Sequence, residues 1–487
     1  MRLNKQNKKI KYTEDVYMEN SLNNNELNNA KTDNKNVKLS LREKISYGFG
    51  DFGNGFMFDL GQSYLTKFFI DTCGISAGAV GGIFAFTKIF DAFMDPLAGS
   101  IIDGRKASKS GKFRPVMMIS SIILALLTVI TFTMPEIPLS SKIIYGYATY
   151  MIWGLVYSFT NVPYGSLASV MTRDVEERSQ LATFRQAGSL GAQLITGVAF
   201  VPILMMFSDK RVGYPVAAAV MAVIGIISFF ICFANTKEHV VINREGKSEK
   251  ASAKDYFKVV FTNRPLLCLI LMQLFTISAM NTNNGMMIFF CQYNLGDIAL
   301  QPKVNGIMIG CSVIGIFAIP FLVKMFGKKK TAITGLVIGI IANGLNFIIP
   351  TNPTTFTVLV TIGYVALAIP NGVTWAFVTD AIDYGHWHTG IRKEGVTYAA
   401  FNFSRKIAQS IAALVSASVL GMTGYVANAQ QSAETLLGIK GAMTLYPAVA
   451  LALAAIIVGL LHNLPDDKYR KVAQDLQEGR WENGILE

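Results

Sequence analysis

The chain has 487 residues, of which 51% are hydrophobic and 16% are charged, and its mean hydropathy is +0.38. Soluble proteins carry about 25% charged residues, so this composition excludes an ordinary soluble domain and indicates an integral membrane protein. The net charge of +12 would suit nucleic acid. However, the basic residues cluster in the loops between apolar stretches, where they set membrane orientation and contact anionic lipid headgroups. We therefore predict membrane lipid, and no nucleic acid, as a partner.

Twelve apolar stretches recur along the chain, each long enough to cross a hydrocarbon core of about 30 Å. They lie at about residues 45–71, 79–103, 114–134, 143–170, 180–207, 213–234, 265–293, 303–325, 331–350, 354–382, 396–424 and 440–462. Lipid offers no hydrogen bonds to backbone groups, so each stretch is predicted to be a helix. The predicted fold class is an all-α integral membrane protein with twelve transmembrane helices.

Polar segments divide these helices into two sets of six. We expect a disordered cytoplasmic tail (1–40), an N-terminal six-helix bundle (41–234), a cytoplasmic linker (235–262), a C-terminal six-helix bundle (263–463) and a cytoplasmic tail with a short amphipathic helix (464–487). Most of the 44 lysine and arginine residues lie on the side of the termini. This bias predicts a multi-pass protein of the plasma membrane with both termini in the cytoplasm.

Two aspartates stand inside the second predicted helix, Asp91 and Asp95. A carboxylate in the bilayer costs about 2.5–3.5 kcal/mol on insertion scales, and residues at i and i+4 share a helix face. The pair therefore predicts a site for a proton or a monovalent cation. The alternative is an ion pair between Asp91 and Lys88. Lys67 lies near a helix end and is expected to snorkel to the interface.

Several motifs resemble the glycoside–pentoside–hexuronide:cation symporters, the family of melibiose permease within the major facilitator superfamily. They are Tyr47-Gly-Phe-Gly-Asp51-Phe-Gly-Asn54, Lys88-Ile-Phe-Asp91-Ala-Phe-Met-Asp95-Pro96, Asn161-Val-Pro163-Tyr-Gly, Asp380-Ala-Ile-Asp383-Tyr-Gly-His386 and Phe403-Ser-Arg405-Lys406. The resemblance runs from about residue 41 to 475 and implies two six-helix bundles with the substrate site between them, near the midplane.

The resemblance also implies roles for individual residues. Asp91, Asp95 and Ser158 match positions that bind the coupling cation, and Asp51 is an extra carboxylate that could compensate for a missing ligand. The resemblance gives Arg185, Tyr164 and Lys406 as candidate substrate-binding residues, and Asn161 and Trp375 join them on their own chemistry. Arginine and asparagine suit sugar hydroxyls because they form paired hydrogen bonds, and Tyr164 and Trp375 offer ring faces. One of Arg405 and Lys406 is expected to compensate the two aspartates when the cation has left.

Three positions depart from the melibiose-type pattern. Gly55 and Asn161 stand where carboxylates grip galactosyl hydroxyls, which argues against that form of recognition. Met94 replaces an asparagine at the cation site. A thioether is a poor ligand for Na⁺, which favours oxygen, so Met94 favours H⁺ over Na⁺ without excluding either.

Charged residues near the cytoplasmic ends of the helices are predicted to form gating pairs. Asp383, Arg392 and Glu394 would meet Arg105 and Arg114 of the other bundle and separate when the inner face opens. The alternative is a solvated basic loop. His386 and His388 lack the spacing of a metal site and are assigned to that loop.

The sequence thus predicts secondary active symport of a glycoside, pentoside or hexuronide with H⁺ or Na⁺ by alternating access. Two alternatives stay open: a transporter of the same fold that carries a lipid or drug, and a membrane sugar sensor that transports nothing. We expect no enzymatic activity and no cofactor. No metal is expected beyond a possible Na⁺ at Asp91 and Asp95. A monomer suffices, because each bundle offers the other a large interface.

Overall fold

The computed structural model describes residues 38–105, 108, 110–172, 174–239, 260–390, 394–482 and 484–485. Most of the predicted N-terminal tail and linker, together with Arg392, lies outside the described residues. For Glu394 the backbone is described but not the side chain.

The first bundle contains six long helices in chain order. They are α1 (Leu41–Lys67, continued by a π-helical turn at Phe68–Thr72), α2 (Ala77–Asp103), α3 (Arg114–Thr131), α4 (Leu139–Met171), α5 (Val175–Met205) and α6 (Lys210–Asn235). Helix α1 begins at a capping box: the Ser40 hydroxyl accepts from the Glu43 amide at 3.3 Å, and the Glu43 carboxylate accepts from the Ser40 amide at 3.0 Å. Both contacts satisfy amides that a helix start leaves without partners.

The second bundle repeats this arrangement. Its helices are α7 (Arg264–Phe289, with a π-helical turn at Phe290–Asn294), α8 (Leu300–Phe326), α9 (Lys328–Ile348), α10 (Pro353–Thr389), α11 (Glu394–Met422), α12 (Ala433–Lys440) and α13 (Tyr446–Leu461). A π-helical turn at Gly441–Leu445 joins α12 to α13, so the two form one span. Helix α10 ends at Gly390, whose φ of +71° is the left-handed conformation that glycine adopts without strain.

Within the described residues, nine of these spans are long and apolar enough to cross a membrane by composition alone. Helices α1, α4 and α11 have the length, at 27, 33 and 29 residues, but they lack an 18-residue segment as apolar as those of the nine spans. These three helices carry Asp51, Asn161 and Lys406, respectively. Two of the nine apolar spans, α2 and α5, also bring polar groups into the interior, since they carry Asp91, Asp95 and Arg185.

The two bundles pack against each other along three helix pairs: α1 with α7, α2 with α11, and α5 with α8. Elsewhere each helix packs mainly within its own bundle, such as α1 against α5 and α6, and α9 against α10 and α13. Apolar side chains line the outer surface, and Phe317 of α8 is 80% exposed. Such a surface is stable only in lipid. The predicted fold class, an all-α membrane protein, is confirmed, and the arrangement of the described helices agrees with the predicted two bundles of six.

A short helix, α14 (Asp466–Gln477), follows the second bundle and packs under the end of α10. Its Val472 is buried beside Tyr384 and Leu464, and the Trp387 indole donates to the Asp475 carboxylate at 3.1 Å. Strands β1 (Arg480–Trp481) and β2 (Gly484–Ile485) then form a small antiparallel hairpin.

Candidate cation and substrate site

The centre of the molecule holds a buried ion pair within helix α2. The Lys88 ammonium lies 3.8 Å from the Asp91 carboxylate and 4.5 Å from the centre of the Phe58 ring, and both charged side chains are almost fully buried. Neither the Lys88 ammonium nor Asp91 Oδ1 has a hydrogen-bond partner in the described part of the chain. The ion pair between Lys88 and Asp91, which the sequence left open as the alternative to a cation site, is thus present. It is long, however, and leaves one carboxylate oxygen to accept another ligand.

Asp95 lies one turn further along α2 and has two partners. The Ser158 hydroxyl donates to its Oδ1 at 2.6 Å, and the Lys406 ammonium lies 2.7 Å from its Oδ2. Lys406 also donates to the backbone carbonyl of Asp91 at 2.7 Å. Since Ser158 belongs to α4 and Lys406 to α11, Asp95 joins three helices from both bundles. The predicted proximity of Asp91, Asp95, Ser158 and Lys406 is observed.

A second polar cluster lies within the first bundle. The Arg185 guanidinium of α5 donates to Asp51 of α1 at 2.7 Å, and Asn54 donates to Asp51 and to Asn161, each at 3.4 Å. The Arg185 side chain is still 34% exposed, so some of its guanidinium N–H groups remain accessible. Asp51 therefore holds Arg185, and Asn54 connects Asp51 to Asn161. In the described residues Asp51 makes no contact with Asp91 or Asp95 that would support the predicted role of a compensating cation ligand.

The two residues predicted to stack on a sugar ring, Tyr164 and Trp375, differ in how exposed their rings are. Tyr164 is completely buried: it stacks on Tyr47 at 4.9 Å, while the Arg185 guanidinium covers it at 5.0 Å. In this conformation Tyr164 offers no accessible ring surface to a sugar and instead contacts Arg185, so its predicted stacking role stays a prediction. Trp375 is 42% exposed and stacks on Tyr398 at 5.9 Å, which leaves an accessible aromatic surface on the second bundle.

Sequence reasoning missed Asp59, which lies one turn after Gly55 on α1. A Cβ at position 55 would lie 3.3 Å from the Asp59 carboxylate and 2.5 Å from the Ala192 Cβ. Asp59 has neither an ion pair nor a hydrogen bond among the described residues. Nearby, the Gln193 amide donates to the Tyr364 hydroxyl at 2.9 Å and so links the two bundles. The sequence signal that could have identified Asp59 was its spacing of four residues from Gly55, which places both positions on one face of α1.

The bundles close against each other where α1, α7 and α11 end. The Lys67 ammonium lies 2.5 Å from Asp71 and 4.5 Å from the centre of the Phe289 ring, and Lys67 is only 4% exposed. The Tyr425 hydroxyl donates to Asp71 at 2.8 Å. The expectation that Lys67 snorkels was therefore wrong, because Asp71 and aromatic rings of the second bundle enclose its charge. The Asn305 amide adds a cross-bundle bond to the Gly197 carbonyl at 3.2 Å.

The predicted gating residues lie at the opposite face, near the chain termini, and each described one contacts its own bundle. Arg114 donates to the Ser110 carbonyl at 3.2 Å, and its amide donates to Glu238 at 3.0 Å. The Tyr469 hydroxyl donates to Asp383 at 3.0 Å. Arg105 is exposed. Arg392 and the Glu394 side chain lie outside the described residues, so the predicted gating pairs stay a prediction.

The donor set fits a monovalent cation better than a transition metal. The described residues hold no group of three or more His, Cys, Asp or Glu side chains that could bind a metal ion. At the central site, the Asp95 carboxylate accepts from the Ser158 hydroxyl, and the Lys406 ammonium contacts both that carboxylate and the Asp91 backbone carbonyl.

These features define a class: a multi-pass membrane transporter of the major facilitator type. The model of one protein family, described as MFS/sugar transport protein, matches residues 46–462. The chain belongs to this family of sugar transporters. The predicted membership of a cation-symporter-like sugar transporter family is confirmed, as is the prediction of a transporter rather than an enzyme.

Three curated relatives cover most of the chain. It is 51% identical to the uncharacterized symporter YjmB of Bacillus subtilis (strain 168), over 91% of this chain and 96% of the relative. It is 36% identical to a putative sulfoquinovose importer of Escherichia coli (strain K12), over 91% and 95%. It is 32% identical to the glucuronide carrier protein homolog of the same organism, over 91% and 96%.

Among solved structures, a point mutant of the nucleoside transporter NupG superposes with a TM-score of 0.63 at 15% identity, covering 86% of this chain and 99% of that one. At this identity the likeness concerns the fold alone. It agrees with the two-bundle architecture described above.

Proposed function

We propose that the protein takes up a sugar or sugar derivative by symport with H⁺ or Na⁺, through alternating access. The names of its relatives, which include a sulfoquinovose importer and a glucuronide carrier homolog, support a sugar-like substrate. The observation that carries the coupling proposal is the position of Lys406. Its ammonium lies 2.7 Å from both the Asp95 carboxylate and the Asp91 carbonyl, on oxygens that a small cation would also use.

Lys406 and the coupling cation compete for the same oxygens. When a proton or Na⁺ neutralises Asp95, the ammonium loses its ion-pair partner and withdraws. The Ser158 hydroxyl and the free Oδ1 of Asp91 are then available as further ligands for Na⁺. A proton needs only a carboxylate, and for this reason, together with Met94, we favour H⁺.

Cation binding would in this way alter a contact between the bundles. Asp95 belongs to α2 and Lys406 to α11, the helix pair along which the two bundles pack. Occupancy of the cation site therefore changes the relative stability of the two access states, as coupling requires.

The substrate is proposed to bind between the bundles, against Arg185, Asn161 and Trp375. Asp51 fixes one donor of Arg185 and leaves the others free for hydroxyl groups. Trp375 offers an accessible ring on the opposite bundle. Lys406, predicted as a substrate ligand, is instead assigned to the cation site.

The conformation corresponds to one access state. We take the face with the chain termini as cytoplasmic, on the distribution of basic residues. The cross-bundle contacts of Lys67, Asp71 and Tyr425 then lie on the outer side, and we propose that the protein is closed to the outside in this state. Asp383, Arg392 and Glu394 are proposed to pair with Arg105 and Arg114 when the inner face closes. The protein is proposed to act as a monomer in the plasma membrane, with both termini in the cytoplasm.

Proteoliposomes test this proposal. We expect labelled sugar to accumulate when an inward H⁺ or Na⁺ gradient is imposed, and accumulation to stop when an ionophore collapses that gradient. Counterflow without gradient dependence would indicate facilitated diffusion and contradict symport. Absence of counterflow with any sugar would contradict sugar transport and favour a lipid or drug substrate, or a sensor.

A further inference from the structure

We propose that Arg405 binds an acidic group of the substrate, and hence that the transported molecule is an acid sugar bearing a carboxylate or sulfonate. This inference rests on the proposed function, since it specifies the substrate of the same site. Its basis is a charge that the cation and sugar sites leave without a partner.

The other basic residues between the bundles are each compensated. Lys88 lies 3.8 Å from Asp91, Arg185 lies 2.7 Å from Asp51, and Lys406 lies 2.7 Å from Asp95. Arg405 forms no ion pair or hydrogen bond with any residue that the structure describes. A guanidinium without a counter-charge at membrane depth is costly to retain, so a ligand that supplies the negative charge would offset this cost.

Arg405 faces the first bundle and not the lipid. The ionisable groups near enough to act on its charge are Tyr398 of its own helix and Tyr157, Arg185 and Asp51 of the first bundle. Its guanidinium lies 5.8 Å from the centre of the Trp375 ring. An arginine that snorkelled to the interface would lack these neighbours from the opposite bundle.

The carboxylates of the site do not neutralise Arg405. Asp51 acts on the charge of Arg405 but is already held by Arg185 at 2.7 Å. Arg185 repels rather than stabilises it. The local balance at Arg405 is thus positive, which favours an anion over a neutral sugar.

The surroundings of Arg405 match the shape of an acid sugar. Trp375 and Tyr398 stack on each other and are 42% and 45% exposed, so they offer an apolar surface to a sugar ring. Beside them the planar guanidinium can donate two parallel hydrogen bonds to a carboxylate or sulfonate. Arg185 and Asn161 remain for the hydroxyl groups.

Matched ligands test this assignment on the purified full-length protein in lipid nanodiscs. Calorimetry would compare glucuronate with glucose, galacturonate with galactose, and sulfoquinovose with glucose, together with the 4-nitrophenyl glycosides of the first two pairs. Within each pair the compounds differ at carbon 6 alone. We expect at least one acid to bind tenfold more tightly than its neutral partner, about the effect of one charge-assisted hydrogen bond.

Three variants complete the test. Arg405→Gln is expected to weaken binding of that acid by about tenfold while binding of the neutral partner changes little. Arg405→Lys keeps the charge and should retain part of the preference. Arg264→Gln removes an arginine that contacts only backbone carbonyls of α13 and should bind like the unaltered protein.

Each outcome is decisive. A neutral sugar that binds as tightly as its acid would overturn the inference while leaving sugar transport intact. An acid preference that survives in Arg405→Gln would overturn the role of Arg405. Failure of every acid and neutral sugar to bind the unaltered protein would overturn both this inference and the proposed function. If Arg405→Gln does not fold, the comparison of acids with neutral partners on the unaltered protein and on Arg405→Lys still decides.

Discussion

The Lys406 ammonium lies 2.7 Å from the Asp95 carboxylate, across the contact between α2 of the first bundle and α11 of the second. This single ion pair places a positive charge of one bundle at the proposed cation site of the other. A cation that binds Asp95 must displace it, so the occupancy of the site and the packing of the bundles are physically linked.

The first prediction concerns Asp95→Asn. The amide keeps the shape of the side chain but loses the charge that holds a cation, so uphill accumulation should fall to the level of liposomes without protein. Exchange of sugar for sugar needs no cation release and should persist. The measurement is gradient-driven uptake beside counterflow. The matched control is Glu136→Gln, at a side chain that is 86% exposed; accumulation by Asp95→Asn equal to that of this control would rule out the role of Asp95.

The second prediction tests the cation site without altering a charge. A methyl group on Gly154 would overlap the Asp91 carboxylate, whereas Gly310 has open space around it. We expect Gly154→Ala to raise the half-saturating cation concentration strongly and Gly310→Ala to leave it unchanged. Unperturbed cation dependence in Gly154→Ala would show that the position of Asp91 does not matter for coupling.

The third prediction concerns Arg185. Its guanidinium donates to Asp51 and is partly accessible. Arg185→Gln should weaken sugar binding by about tenfold, the effect expected on loss of a charged hydrogen-bond donor. Asp51→Asn should weaken it less, because it loosens the arginine without removing it. Titration calorimetry measures both, and unchanged affinity in Arg185→Gln would remove this residue from the substrate site.

The fourth prediction concerns the closed face. Tyr425→Phe removes the hydroxyl that donates to Asp71 at 2.8 Å, so the face should open more often. One lost hydrogen bond corresponds to about a two- to tenfold change in that equilibrium. A cysteine at Ala417, which is 3% exposed, would report opening by its rate of reaction with an impermeant maleimide in a background without native cysteines.

Tyr446→Phe is the matched control for this labelling experiment. Its hydroxyl bonds Ser278 inside the second bundle at 2.9 Å, so its loss should leave the labelling rate unaltered. Equal rates in the two variants would mean that Tyr425 does not hold the face closed.

Much of the architecture follows from the sequence because hydrophobicity and length determine membrane helices almost alone. The positions of Asp91, Asp95, Ser158 and Lys406 followed from motifs that belong to a known family. Their meeting across α2, α4 and α11 could therefore be predicted from the sequence.

The sequence could not predict what tertiary packing decides. Whether Lys67 reaches the interface or an aspartate depends on rings from α7, which are more than two hundred residues away in the chain. Tyr164 has the chemistry of a stacking residue, but helix packing places it between Tyr47 and Arg185. Asp59 and Arg405 are of interest because neither has an ion pair or hydrogen bond within the part of the chain that the structure describes, which only the fold reveals. The gating pairs stay a prediction, because Arg392 and the Glu394 side chain lie outside the described residues.

The most direct test of the central claim is a simultaneous measurement of sugar and cation flux in one preparation. Proteoliposomes with unaltered protein or Asp95→Asn would receive the sugar, with internal pH and internal Na⁺ followed by fluorescence in the absence of any imposed gradient. We predict that sugar entry brings protons, or Na⁺ where it is supplied, into liposomes with the unaltered protein and not into those with Asp95→Asn. Sugar entry without movement of either cation, or equal cation movement in both proteins, would contradict coupling at Asp95.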